Sequence, residues 1–296
     1  MQNFNGTAQI TDEGIKKHFK TMEPHRAIFE YVWNGFDARA HNVNINLNRN
    51  ELGGLESISI IDDGDGVDLS NLSNSFQKFN ESNKKDDDDM HGSHGRGRLA
   101  FHKLAKDAIW FTKWKGRSAK ICISADTISH YIGEFINQNN QYEKLKNIKS
   151  GTYVILNSIY PKTQFPTDEI FIESLKKEFS WSLIINPHKK LFLNGIEIPI
   201  LENTCFNKSV RVEDIDFEIK AIRWHHKLSH EKSCNYLLDS NHKIVFSELS
   251  KANNKIDFYT SCYALSIWND SYDKAELEMN PNSEYQHKIL KKLLLK

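Results

Sequence analysis

The stretch from Ala27 to Ala40, AIFEYVWNGFDARA, constrains this chain more than any other. Read as a helix, it sets Glu30, Asn34 and Asp37 at i, i+4 and i+7, on one polar stripe. Ile28, Phe29, Val32, Trp33 and Phe36 cover much of the remaining surface, so the helix is expected to be largely buried. Burying two carboxylates and an amide together costs on the order of several kcal/mol unless each finds a partner. The stripe therefore points to a site, against the plainer reading of a solvated face on an ordinary amphipathic helix.

Around that helix the pattern is mixed. Thr11 or Asp12 is placed to cap a short helix over TDEGIKKHF, and Pro24 suits the first turn of the Glu30 helix. VNINL alternates like a strand, and ISIIDD reads as its antiparallel neighbour across a Gly53-Gly54 turn. Asp62-Asp63-Gly64-Asp65-Gly66 is too rich in glycine to continue either strand, and Asp63 and Asp65 read as exposed turn residues. Leu69 to Phe79 suggests a helix, and the polar run from Asn80 to His91 a lid-like loop. Glycine returns at Gly92, Gly95 and Gly97, where Leu99, Phe101, Leu104, Ala105 and Ala108 are spaced for a helix. AIWFTKW, AKICISA, HYIGEFI and, after SGT, YVILNSI follow as strands. One helix layer on a mixed or antiparallel sheet is an α+β sandwich, not a doubly wound dinucleotide fold, because strands and helices do not alternate.

A boundary is expected near Pro161 to Pro166, dividing the chain into residues 1–160 and 161–296. Beyond it, Thr167 to Ile185 reads as an amphipathic helix, and LFLNGIEIPI as a hairpin turning at Asn194-Gly195. FEIKAIRW, NYLLD, KIVFSEL and FYTSCYALSIW suggest further strands, with a closing helix over Glu284 to Lys296. His225, His226, His230 and Cys234 have a spacing that hints at zinc, but they fall in a loop between strands and lack a second ligand pair.

At 296 residues there is room for about two domains. A hydrophobic share of 39% beside 26% charged residues excludes a disordered chain. The 39 basic and 39 acidic residues cancel, so no global field recruits nucleic acid or anionic membrane, although a local basic groove stays open. No apolar run is long enough to span a membrane, and MQNFNGTAQI lacks the marks of a secretory signal. Cys122, Cys205, Cys234 and Cys262 show no CxxC pairing, which suits a reducing cytoplasm.

Taken in order, Glu30-x-x-x-Asn34-x-x-Asp37-Ala38, Asp62-x-Gly64-x-Gly66, Gly92-x-x-Gly95-x-Gly97 and Gly151-Thr152 resemble the GHKL superfamily. That superfamily joins DNA gyrase, the ninety-kilodalton heat-shock chaperones, histidine kinases and the mismatch-repair protein MutL. DARAHNVNINL, SGTYVIL and FNESNK strengthen the resemblance, which covers about residues 11 to 158 and leans toward the MutL, Morc and chaperone branches. It implies a Bergerat-type ATP-binding domain, then a smaller α+β domain resembling a transducer. It also implies Mg2+-dependent ATP hydrolysis that drives a switch or clamp through an ATP-dependent homodimer, whose N-terminal leader crosses to the second subunit. DNA repair, chaperone-like work and phage defence are all compatible uses. Trp33 and Arg39 depart from the family pattern at the mouth of the site.

The resemblance assigns Asn34 to the magnesium ion, Glu30 to the attacking water as general base, and Asp62 to the adenine amine. Gly64 and Gly66 let the backbone approach the base, Thr152 stands beside Asp62, and Gly92, Gly95 and Gly97 offer N–H groups to phosphates. Arg96 is either a phosphate contact or a surface arginine, and Asp37 either a ligand or a helix-end hydrogen bonder. A transducer lysine returning to the γ-phosphate is assigned to Lys190, with Lys189 and Lys162 as the other candidates and a solvated helix-to-strand lysine pair as the plainer reading. The competing readings are a histidine-kinase-branch protein kinase and an ATP-gated binding module without turnover.

Overall fold

The computed structural model describes residues 3–7, 11–72, 97–136, 145, 149–228, 233–271, 288 and 292. The lid-like stretch 80–91 and the glycine-cluster residues Gly92, Gly95 and Arg96 lie outside these, as do residues 73–79 of the helix expected over 69–79. So does most of the closing helix, of which Lys288 and Lys292 are helical and pair with Glu213.

Two compact units emerge. The first comprises Met1–Leu175 and Pro187–Ile198. In it, β1 (Asn3–Thr7) precedes α1 (Asp12–His18) and α2 (Arg26–Asp37). Then come β2 (Asn42–Arg49), β3 (Leu55–Asp62), β4 (Ala105–Trp114), β5 (Arg117–Ser124), β6 (His130–Ile136) and β7 (Gly151–Ile159). α3 (Asp168–Ile185) runs from this unit into the second, and β8 (Lys190–Leu193) with β9 (Ile196–Glu197) returns to the first. The sheet order is β1-β6-β5-β4-β7-β3-β2-β8-β9, antiparallel throughout except for the parallel β2–β8 pair. This is the α+β sandwich expected from the sequence. The leader forms β1 on the chain's own β6.

Local chemistry accounts for the element ends. Thr11 caps α1 by accepting the Gly14 N–H at 3.2 Å. Asn194 and Gly195 take φ of 49° and 79°, the doubly left-handed turn that suits a two-residue hairpin. The Asn194 carboxamide oxygen also accepts the Leu47 N–H at 2.9 Å, stitching this hairpin to β2. α2 buries Ala27, Ile28, Phe29, Tyr31, Val32, Trp33 and Phe36 as its composition demands.

One expected element differs. The helix predicted from Gly97 to Ala108 is a 3-10 helix over Gly97–Lys103, after which β4 begins at Ala105. Leu99, Ala100, Phe101, Leu104, Ala105 and Ala108 are all buried, so the apolar spacing reflected burial on every side, not one face of an α-helix. From Ala105 onward, pairing with β7 on one side and β5 on the other wins over the weak local helix preference.

The second unit holds Lys176–Asn186 and Pro199–Lys296. Its five strands are β10 (Asn203–Val212), β11 (Ile215–Trp224), β12 (Cys234–Leu238), β13 (Ile244–Leu249) and β14 (Tyr259–Leu265), in the order β10-β11-β14-β12-β13. One face stacks Tyr236, Tyr263 and Trp181, with ring centroids 5.0 and 5.7 Å apart. The other carries Val210, Val212, Phe217, Leu237 and Ala264, with Trp268 against them. All four cysteines are free, and no helix among the described residues is long and apolar enough to cross a membrane.

Candidate functional site

The site begins where three strands, distant in sequence, fall into one row. Asp62 ends β3 and pairs in register with Thr152 near the start of β7, and Thr152 pairs in turn with Thr112 on β4. All three are buried. The Asp62 Oδ1 accepts the Gly64 N–H at 3.0 Å and the Thr152 N–H at 3.2 Å. Both bonds fall on one oxygen, so Oδ2 has no hydrogen-bond partner among the described residues. Burial, reinforced by the neighbouring Asp63 charge, pushes the Asp62 carboxyl up to about 6 against the pull of those two N–H groups. A carboxylate kept at this cost, with one oxygen spoken for and one open, is set to accept a donor from outside.

Glycine makes the enclosure possible. Gly151 has φ of +137°, and a Cβ there would collide with the Asp62 carbonyl oxygen. A Cβ on Gly64 would sit 2.6 Å from the Ala38 carbonyl oxygen, so the turn presses onto the end of α2. Gly66, at φ +78°, lies against the Lys113 carbonyl and the Thr112 hydroxyl. Asp63 and Asp65, expected as exposed turn residues, are half-buried and structural. Asp63 accepts the His41 and Asn42 N–H groups at 2.8 Å each, and Asp65 pairs with Arg39 and donates its N–H to Ala38 at 2.8 Å.

α2 runs beside this row. Glu30 is half-buried, while Asn34 and Asp37 are exposed, so the polar stripe opens outward instead of being buried whole. A Cβ on Gly97 would collide with the Glu30 carboxylate and lie 2.8 Å from its Cβ. The Tyr31 hydroxyl donates to the Arg98 carbonyl at 2.7 Å, locking the start of the 3-10 helix to α2. Burial holds the Tyr31 phenol well above its ordinary pKa and lowers the buried Arg98 guanidinium to about 10. Gly97 and Glu30 thus meet, as do Asp62, Gly64 and Thr152.

The lysines find other places. The Lys190 ammonium pairs with Glu197 at 2.9 Å across the hairpin, and the Lys190 backbone N–H donates to the His41 carbonyl. Lys189 lies over the Phe36 ring, 5.3 Å from its centroid; burial lowers its pKa while Asp37 raises it. A cation there also suits the C-terminal end of α2. Among His225, His226 and their surroundings, Glu202 supplies the nearby carboxylate, 3.7 and 3.9 Å away.

Two residues of the site gave no signal in the sequence. Gly35 lets α2 lie on the sheet, since a Cβ there would be 3.0 Å from Val43 and 3.1 Å from the Asp62 side chain. Thr112 is fully buried and accepts the Val67 N–H at 2.8 Å. Both become visible only when the register is known.

Residues 22–152 match the family model described as histidine kinase-, DNA gyrase B- and HSP90-like ATPase. This segment is a GHKL-type ATPase domain. Its fold is the Bergerat sandwich, here followed by a second sheet unit. Among solved structures, the N-terminal domain of a DNA repair protein is similar at 16% identity and a TM-score of 0.45, covering 87% of each chain. Among curated proteins none matches in sequence.

Magnesium is the usual companion of such a domain. No cluster of three or more His, Cys, Asp or Glu that could cage a metal occurs among the described residues, and Asn34 offers one exposed amide oxygen. That donor set fits a hard cation arriving on a triphosphate with its own waters.

Proposed function

We propose that this chain binds Mg-ATP in its first unit and hydrolyses it, coupling turnover to a conformational switch or a dimer clamp. One observation carries the reading: Asp62 is buried with Oδ1 held by Gly64 and Thr152 and Oδ2 left open. An acceptor so placed suits the exocyclic amine of adenine and rejects guanine, which presents an oxygen there. Gly64 and Gly66 would let backbone approach the base edge, and Gly97, packed against Glu30, would offer its N–H to phosphate oxygens.

Asn34 would hold the metal, which supplies charge neutralisation on the β- and γ-phosphates when bound. Glu30, one turn earlier, takes a proton from water as the water oxygen bonds to the γ-phosphorus. The bond from that phosphorus to the β–γ bridging oxygen breaks, and ADP departs. Asp37 is a helix-end residue beside Lys189 in this scheme, and Lys190 has no part in it.

The test separates two neighbours on one helix face. Glu30→Ala is expected to bind Mg-ATP nearly normally while losing roughly 10²-fold or more of phosphate release, the scale of a general base. Asn34→Ala is expected to lose magnesium-dependent binding instead. Phosphate release at the parent rate in Glu30→Ala would overturn the mechanism, and autophosphorylation without phosphate release would favour a kinase. Light scattering of Glu30→Ala with Mg-ATP tests the clamp, which predicts a dimer.

A further inference from the structure

We propose that Thr112 is a positioning residue that sets the purine selectivity of this site; the inference rests on the adenine-binding role proposed for Asp62. Thr112 belongs to none of the glycine and carboxylate motifs, yet one buried hydroxyl joins three backbone segments around the base pocket. Its Oγ1 accepts the Val67 N–H at 2.8 Å and reaches the Gly151 carbonyl as a donor at 3.4 Å. On its remaining side lies Gly66, whose Cβ, if it had one, would be 2.9 Å from the same oxygen. The residue is fully excluded from solvent and occupies the sheet row of Asp62 and Thr152.

The consequence follows from how the turn is anchored. Its near end is the Gly64 N–H on Asp62 Oδ1, and its middle is the Asp65 N–H on the Ala38 carbonyl. Its far end is Val67 on Thr112. The second N–H on Asp62 Oδ1 comes from Thr152, directly after Gly151, which Thr112 also contacts. Thr112 therefore steadies both N–H groups that hold Oδ1, and so fixes where Oδ2 points. Removing the hydroxyl leaves the part-buried Val67 N–H without its acceptor and frees the turn to shift. Asp62 then loses its set orientation. Adenine, which needs Oδ2 aimed at its amine, suffers; guanine, which never used that oxygen, does not.

Calorimetric titration of Mg-ATP and Mg-GTP into the parent protein, Thr112→Val and Thr112→Ser tests this. Thr112→Val is expected to lower the ATP-to-GTP affinity ratio by roughly tenfold or more, the scale of one hydrogen bond to a charged group, mainly by weakening ATP. Thr112→Ser keeps the hydroxyl and is expected to keep the ratio. A residue that only stabilised the fold would lower the melting temperature and weaken both nucleotides by one factor. Thr112→Ala, which adds no bulk, replaces the valine variant if that one does not fold. An unchanged ratio in Val or Ala, or a serine variant as impaired as valine, would overturn the role of Thr112 alone. A parent protein that binds neither nucleotide would remove the ATP reading itself.

Discussion

Asp62 and Asn34 serve neighbouring parts of one domain, yet their surroundings are opposite. Asp62 is 8% exposed, beneath a glycine turn, with two N–H groups on one oxygen. Asn34 lies exposed on the outer side of α2, with half-buried Glu30 one turn before it. The first environment costs stability and spends it on a fixed direction for one acceptor. The second leaves an amide oxygen in water, where it keeps its hydration until a cation arrives with its own ligands. In the proposed reading, base recognition is built into the chain and the metal end is completed by the ligand.

The largest effect expected from that contrast concerns stability. The Asp62 carboxyl has an ordinary value of 3.8 and a folded value of about 6, so the folded state holds its proton more tightly than the unfolded state. The penalty is absent below the unfolded value, grows as pH rises from about 4, and is complete above about 6. At roughly 1.4 kcal/mol per unit it reaches about 3 kcal/mol at neutral pH. Asp62→Asn keeps an Oδ1 acceptor without the charge. It is expected to raise stability by up to about 3 kcal/mol at pH 7 and by little at pH 4, as denaturant melts at the two pH values would show. Equal shifts at both would mean that Asp62 carries no burial cost, and the contrast with Asn34 would fail.

The smallest effect sharpens the other end. Lys190 is half-exposed and paired with Glu197, so Lys190→Ala is expected to leave phosphate release unchanged and to cost at most about 1 kcal/mol of stability. A large drop in turnover would return this lysine to the catalytic end, where family resemblance had put it.

Much of the site was legible because it is local. Glu30, Asn34 and Asp37 are fixed by helical spacing, Asp62 by a strand running into a glycine turn, and Asn194-Gly195 by turn chemistry. What escaped depends on register between distant strands. Thr112 looks like any strand threonine until β4 is known to lie beside β7, and Gly35 like any helix glycine until α2 is laid on Asp62. The 3-10 helix at Gly97 was misread because apolar residues buried on all sides carry no single period. β10 was missed for the opposite reason. Thr204 to Ser209 are all exposed, so alternation is confined to Val210 and Val212 at the end of this edge strand.

The most direct test of the central claim is a calorimetric comparison of ATP with inosine triphosphate, which carries an oxygen in place of the amine, on the parent protein and Asp62→Asn. The parent is expected to prefer ATP, and Asp62→Asn to lose roughly tenfold or more in ATP affinity, because its amide now presents a donor toward the adenine amine. Inosine triphosphate is expected to bind the variant no worse than the parent. Unchanged ATP affinity in Asp62→Asn would contradict the claim that this buried carboxylate reads the base.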